Sequence, residues 1–394
     1  MIRSFTVENF YSICESQTLD LRIPKNAPDL GNRFARPIPG SEERFPKVVV
    51  IFGANASGKT NVLKAISFLI RFVKDSVDYR PEKGIPFLTF LNNEGIERET
   101  KFKVEFDAIF FEHQKHRAKY VYELEISSDY KQVSYEALKH FPEGRPRRLF
   151  ERRSQNIKFS SEFNISDNDP VLNRIRPNAS VISTLAQFND PIATAIYRNL
   201  NAVMSNVSAF GKDDTPEEYA TSYYNKNNEA LEELNKQIKK FDFGIQNIKL
   251  LKTENGIRPT FDHKGLDVDI GYDFESQGTQ SFYSLFPYIY FVLQSGGIAV
   301  LDELGGDFHP LLLPEIVKAF QHRETNPYDA QLIMTCLNAT LFESLEKEEI
   351  FFTEKTESGE TQIYGAKNIT GVRRDTNIYA KYLLGALGGI PVVG

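Results

Sequence analysis

Apolar and polar positions change period several times along the chain. Residues 1–10 and 18–23 alternate in the manner of two short strands. Residues 24–46 are rich in Pro, Gly, Asn and charge and read as a loop. Val48-Val49-Val50-Ile51-Phe52 is an unbroken apolar run, the pattern of a strand buried on both faces. Residues 62–73 return to helical spacing. Residues 102–110 and 120–127 alternate again, and 133–140 and 148–152 continue in that style. These strands predict an antiparallel sheet.

The middle of the chain differs. Residues 191–207 and 216–238 have mostly helical patterning, with Leu231, Leu234 and Ile238 on one face. This stretch is far too short for long coiled-coil arms and predicts a compact helical insertion. Beyond residue 242 short elements return. Residues 282–293 and 311–320 read as helices, and 297–301, 330–335 and 350–354 as strands. Strands alternating with helices predict an α/β sheet covered on both faces. The expected division is 1–150 as the first part of the core, 151–245 as a mainly helical insertion, and 246–394 as the second part of the core.

The chemistry is concentrated where the first buried strand ends. Residues 53–60 read GANASGKT, the phosphate-loop pattern, between a strand and a helix. Gly53 and Gly58 let the backbone of Gly53, Ala54, Asn55, Ala56, Ser57 and Gly58 turn its N–H groups onto an anion. Lys59 reaches the β- and γ-phosphates, the Thr60 hydroxyl suits Mg²⁺, and Asn61 opens a helix whose amino end favours phosphate. ATP with Mg²⁺ is the expected ligand pair.

Acidic partners follow at the carboxyl end of a second apolar strand, Ile298-Ala299-Val300-Leu301-Asp302-Glu303. Asp302 is placed to hold Mg²⁺ through water, and Glu303 to polarise the hydrolytic water. An ordinary solvent-facing strand end would look the same in isolation. Between the motifs lies Phe274-Glu275-Ser276-Gln277-Gly278-Thr279-Gln280, a small-residue turn before a helix. Ser276 and Gly278 could contact the γ-phosphate held by another subunit, or Ser276 could simply cap its helix.

Bulk properties add boundaries. A chain of 394 residues has room for two domains, or one large domain with an insertion. The net charge of −6 gives no global attraction to nucleic acid. The two cysteines, Cys14 and Cys336, imply no disulfide or zinc framework. The opening residues lack a secretion-signal core, and no run reaches membrane-spanning length, so a cytoplasmic protein without membrane partners is expected. Arg145, Arg147, Arg148, Arg152 and Arg153 form a basic cluster, and residues 113–117 read HQKHR. Either could meet DNA phosphates, an acidic protein, or solvent alone. The six histidines show no metal-binding spacing. Cys336 reads as a small buried residue rather than a nucleophile.

The order of the three motifs resembles ABC-type ATPases, in particular the soluble SMC/RecF-like branch that includes overcoming-lysogenisation-defect proteins. Within it the chain looks like the small AAA-type ATP-binding proteins of bacterial anti-phage and abortive-infection operons. Val7-Glu8-Asn9-Phe10-Tyr11-Ser12-Ile13 resembles the family's first strand, with Tyr11 in place of a basic residue. Residues 275–278 resemble a degenerate signature motif, and Asp302, Glu303, His309 and Pro310 the acidic motif and the helix start after it. The resemblance implies two ATP molecules sandwiched head to tail between paired copies, opening on hydrolysis or release. It implies a switch or clamp, acting on DNA or on a linked effector.

Two departures stand out. After Gln331-Leu332-Ile333-Met334 the chain reads Thr335-Cys336-Leu337-Asn338, with Leu337 at the family's switch-histidine position. Slow or partner-triggered hydrolysis is the expectation. The tail, Tyr382-Leu383-Leu384-Gly385-Ala386-Leu387-Gly388-Gly389-Ile390-Pro391, lacks the family's arginine. No metal-dependent nuclease module fits after Glu303, and Asp267-Val268-Asp269 reads as surface or strand-edge acids. The first reading is therefore an ATP-driven switch that restrains or releases a separate toxic effector on a phage-protein trigger. A DNA-clamping repair ATPase and a nucleotide-stabilised scaffold without hydrolysis are the alternatives.

Overall fold

The apolar run Val48–Phe52 lies wholly buried inside a six-stranded sheet. The computed structural model describes every residue except 30, 112–113, 167, 214, 241–243, 255, 307–311 and 391–394, and the side chain of 143. The sheet runs Val203–Ser205, Ile298–Leu301, Gln331–Thr335, Val48–Phe52, Ile350–Lys355, Thr361–Gly365. Neighbouring strands are parallel throughout, except that Thr361–Gly365 returns antiparallel as a hairpin.

Alternation along Val48–Phe52 divides two cores. Val49 and Ile51 face a core shared with the phosphate-loop helix Lys59–Asp75 and a second sheet. Val48, Val50 and Phe52 face a core shared with the helices Asn228–Lys240, Gln277–Ser295 and Leu312–Gln321. A strand covered on both faces can be apolar at every position, which explains the unbroken run.

The second sheet is antiparallel and seven-stranded: Asn156–Phe159, Arg147–Arg153, Val133–Phe141, Ala118–Ile126, Thr100–Ala108, Ile2–Glu8, Gln17–Asp20. Gln331 joins it to the parallel sheet. Its side chain accepts from Ile2 N at 2.8 Å and donates to the carbonyls of Ile2 and Pro46 at 3.2 and 3.1 Å. The expected α/β core with an antiparallel subdomain is thus present.

The middle segment is helical at Val181–Gln187, Pro191–Leu200, Glu217–Lys226 and Asn228–Lys240. It is not an appendage. Arg147–Arg153 and Asn156–Phe159 finish the antiparallel sheet, and Val203–Ser205 pairs in parallel with Ile298–Leu301 as an edge of the nucleotide sheet. Three-residue strands carry too little alternation to show in a sequence. A small sheet of Ile245–Thr253, Gly256–His263 and Ile270–Gly271 precedes the long helix Gln277–Ser295. Among the described residues no helix is long and apolar enough to cross a membrane. His309 and Pro310, expected to start a helix, lie outside the described residues, as do His113 and Pro391.

Candidate nucleotide site

The phosphate loop leaves the carboxyl end of Val48–Phe52 and enters Lys59–Asp75, the position where open α/β sheets hold ligands. Its glycines have no room for a side chain. A Cβ on Gly53 would sit 2.5 Å from Ser57 Oγ and from the Thr353 carbonyl oxygen. One on Gly58 would run into Thr361, and Gly58 holds φ +103°, in the left-handed half that glycine favours.

The loop is pinned from outside by hydroxyls. Ser57 Oγ and Thr353 Oγ1 are 2.7 Å apart, and Thr361 Oγ1 donates to the Ser57 carbonyl at 3.0 Å. Asn61 Nδ2 donates to Ser12 Oγ at 2.6 Å, and that oxygen lies 2.8 Å from Thr361 Oγ1. The carboxyl-terminal hairpin and the turn after the first strand therefore fix the loop's shape.

Lys59 is curled into this ring. Its Nζ donates to the carbonyls of Gly53 and Ala54 at 2.9 and 2.8 Å. Burial lowers the ammonium pKa, and the charges of Asp302 and Glu303 oppose that shift. A buried cation held, among the described residues, only by carbonyl oxygens is matched to an incoming anion.

Asp302 is buried at the end of Ile298–Leu301 with both carboxylate oxygens engaged. Thr60 Oγ1 donates to Oδ2 at 2.8 Å, and Thr335 Oγ1 to Oδ1 at 2.5 Å. Asn206 grips its backbone: Asp302 N donates to Asn206 Oδ1 at 2.7 Å, and Asn206 Nδ2 donates to the Asp302 carbonyl at 3.3 Å. A carboxylate and a hydroxyl, both hard oxygen donors, facing one another beside a phosphate cradle suit Mg²⁺, which keeps its other positions for water and phosphate.

Glu303 departs from its neighbour. Its backbone is left-handed, φ 49°, and its amide donates to Thr335 Oγ1 at 2.7 Å. The turn leaves Asp302 buried and Glu303 exposed, so two adjacent carboxylates meet different surroundings. A left-handed non-glycine costs about 1–2 kcal/mol and persists where surrounding contacts impose it.

The remaining expected residues separate. Ser276 caps Gln277–Ser295, accepting from Thr279 N at 3.2 Å, and Gly278 lies in the first turn of that helix. Beside them Glu275 lies 2.5 Å from His263 Nε2. Cys336 is buried, with its thiol pushed up to about 11 by burial, and its amide donates to Ile51 O at 3.1 Å. Leu337 is 54% exposed, open to solvent just beyond the strand that carries Thr335. Asp269 pairs with Lys249 at 3.2 Å on the surface of the small sheet.

The basic cluster needs correction. Arg152 is fully buried and bonds to the carbonyls of Ser154, Ala179, Arg176 and Pro177 at 2.7, 2.6, 3.0 and 3.2 Å. It lies 3.6 Å from the equally buried Glu136. Its neighbours on the strand point outward, where Arg148 and Arg153 pair with Glu151 at 2.6 and 3.0 Å. Alternation buries Phe150 and Arg152 and turns Arg153 outward, while a register shift between Leu138 and Lys139 takes Arg148 out as well, so a core arginine sits inside an apparently continuous basic run. Arg117 of the HQKHR stretch donates to the Tyr328 carbonyl at 3.3 Å.

Asn206 escaped the sequence reading because it follows a three-residue strand. Thr335 carried a signal: it ends an apolar strand beside the one ending in Asp302, at the same edge of the sheet.

Residues 48–335 match the family described as "AAA domain, putative AbiEii toxin, Type IV TA system". No curated protein matches the chain. Among solved structures it is similar to the SMC head domain from Thermotoga maritima, at 11% identity and TM-score 0.43, covering 92% of this chain and 98% of that one. It is similar also to an Smc head domain with an extended coiled coil bound to the C-terminal domain of ScpA, from Pyrococcus furiosus, at 11% identity and TM-score 0.44, covering 92% and 96%. The family match runs from the strand before the phosphate loop to Thr335, and so takes in Lys59, Thr60, Asp302 and Glu303. The chain belongs to this family of AAA P-loop ATPase domains, described with the type IV toxin–antitoxin systems.

Proposed function

We propose that the protein is a cytoplasmic ATP-binding switch subunit of an anti-phage system, hydrolysing slowly and controlling a separate toxic effector such as a nuclease. The observation that carries the reading is the buried Asp302 carboxylate shared between Thr60 and Thr335, one residue before the exposed Glu303. Amides of residues 53–61 cradle the phosphates, and Lys59 exchanges its loop carbonyls for phosphate oxygens. Thr60 and Asp302 hold magnesium, which when bound neutralises charge on the phosphates. Glu303 orients and deprotonates the attacking water. Leu337 can neither donate to the γ-phosphate nor hold that water, which favours a long-lived bound state. Ser276 and Gly278 complete the site of a second copy across a head-to-tail homodimer. The family's toxin–antitoxin description supports a defence setting with a cognate partner protein, and a phage protein is the proposed trigger.

The test combines the native operon with three variants. Lys59→Ala should abolish ATP binding, and Glu303→Gln should retain it and accumulate the closed pair. Expression alone should be harmless, with toxicity only beside the copurifying effector. Toxicity of the lone chain, or no partner captured with or without ATP, would overturn the switch reading. ATP binding with no phosphate release above background would leave a scaffold. DNA-stimulated turnover that is lost in Arg145→Ala/Arg147→Ala would establish a DNA clamp.

A further inference from the structure

Lys64 stands out among the cations near the phosphate loop. It is half-buried, yet it makes no ion pair and no hydrogen bond among the described residues. It lies one turn beyond Thr60 on the same face of Lys59–Asp75. Helical side chains lean toward the amino terminus, so its stem runs back toward Thr60 and the metal side of the loop. Burial lowers its pKa, and the one charge that opposes this is Asp302.

A dedicated support holds it there. Its Nζ sits 4.5 Å from the centroid of the Tyr11 ring, a cation–π contact. Tyr11 is itself locked: left-handed at φ 49°, its amide donating to Leu88 O at 2.8 Å and its hydroxyl to Ala209 O at 2.8 Å. The hairpin Val207–Ser208 and Gly211–Lys212 closes the other side, and a Cβ on Gly211 would stand 4.0 Å from Lys64 Cε. The same strand exit carries Asn206, which grips Asp302. A long flexible cation is thus steadied one helical turn from Thr60, with no carboxylate partner among the described residues. A half-buried ammonium steadied by an aromatic ring, with no carboxylate partner among the described residues, keeps its charge available to an incoming anion.

We infer that Lys64, braced on Tyr11, is a second cationic contact of the bound nucleoside triphosphate and joins Lys59 at its terminal phosphate. The inference rests on the nucleotide-site reading above and adds a discrimination: Lys64 makes the site prefer a triphosphate over a diphosphate.

Calorimetry with Mg-ATPγS and Mg-ADP tests it on the full chain. Lys64→Met should weaken the triphosphate roughly 10- to 100-fold and the diphosphate less than about threefold, as loss of one charge-assisted contact requires. Lys64→Arg should recover most of the loss. Tyr11→Leu, which removes the ring and leaves the lysine, should shift the same ratio in the same sense by a smaller factor. An unchanged triphosphate-to-diphosphate ratio in Lys64→Met, with wild type binding both, overturns the role of Lys64 and leaves the site standing. Wild type binding neither nucleotide overturns the site itself. Should Lys64→Met fail to fold, the Tyr11→Leu ratio decides the question alone.

Discussion

The Thr335 hydroxyl donates to Asp302 Oδ1 at 2.5 Å and accepts the amide of Glu303 at 2.7 Å. One hydroxyl thereby sets both the carboxylate orientation and the left-handed turn that sends the next carboxylate outward. Thr335→Val keeps the shape and removes the link. Mg²⁺ affinity measured by ATPase titration should fall about 10- to 100-fold, the usual cost of losing an orienting partner. Denaturant unfolding should show a loss of about 1–3 kcal/mol, from an acceptor and an amide left unpaired. An unchanged magnesium dependence would mean that Asp302 does not need this brace.

Asn206 makes the complementary contact, to the Asp302 backbone rather than its carboxylate. Asn206→Ala removes the acceptor at 2.7 Å and the donor at 3.3 Å. Turnover should fall by more than tenfold with a smaller change in ATP affinity, because the phosphate loop is pinned independently by Thr353 and Thr361. Single-turnover phosphate release against equilibrium binding separates the two effects. Affinity and turnover falling together would show that Asn206 shapes the whole site.

Much of this arrangement was legible in the residues themselves. Buried parallel strands need continuous apolar runs, so Val48–Phe52 and Ile298–Leu301 declared themselves, and the glycines and Lys59 followed at a spacing that phosphate chemistry dictates. What stayed hidden depends on contacts distant in sequence. Asn206 and Asp302 are joined only when a three-residue strand finds the edge of the parallel sheet. Arg152 lies in a run of charge and gives no sign that its partner is Glu136, in the neighbouring strand. The hydroxyls of Ser12, Thr353 and Thr361 converge on the phosphate loop from the two ends of the chain, and no local pattern marks such convergence.

The burial of Arg152 has a thermodynamic consequence. Glu136 accepts from Tyr122 Oη at 2.8 Å, Ser180 Oγ at 2.9 Å and Val181 N at 3.0 Å, so the pair ties three strands to the helix Val181–Gln187. Arg152→Ala leaves a buried carboxylate without its cation and should cost about 3–5 kcal/mol in denaturant unfolding. Arg145→Ala and Arg147→Ala, on exposed positions, should stay within about 0.5 kcal/mol. Equal small effects at all three sites would contradict the buried placement.

Glu349 supplies a pH dependence. Burial pushes its carboxyl up to about 7 from 4.5, against the pull of Arg33 and hydrogen bonds from Glu346 N and Gln321. Between those values the folded chain keeps a proton that the unfolded chain has released. Stability attributable to this group is therefore full below pH 4.5 and declines as pH rises to about 7, then levels off. The span amounts to about 3 kcal/mol at most, at 1.36 kcal/mol per pH unit. Glu349→Gln should remove this slope, so its melting temperature should gain on wild type between pH 5 and pH 8. A parallel pH profile for the two proteins would place the titration elsewhere.

Leu337 offers the sharpest test of why turnover should be slow. Its side chain is 54% exposed and lies two residues beyond Thr335, which is bonded to Asp302, so a polar replacement meets no packing penalty there. Leu337→His supplies a donor able to hold the attacking water or the γ-phosphate. General acid–base groups contribute roughly 10²- to 10⁴-fold when well placed. A histidine on an unrefined site should recover part of that, raising kcat about tenfold with KM for ATP little changed. Leu337→Gln supplies a donor without a titrating ring and should give a smaller gain. Steady-state phosphate release between pH 6 and pH 8 separates them, since the histidine gain should grow as its imidazole becomes neutral. Equal rates for wild type and both variants would mean that the slow step lies in opening the closed pair and not in activating water.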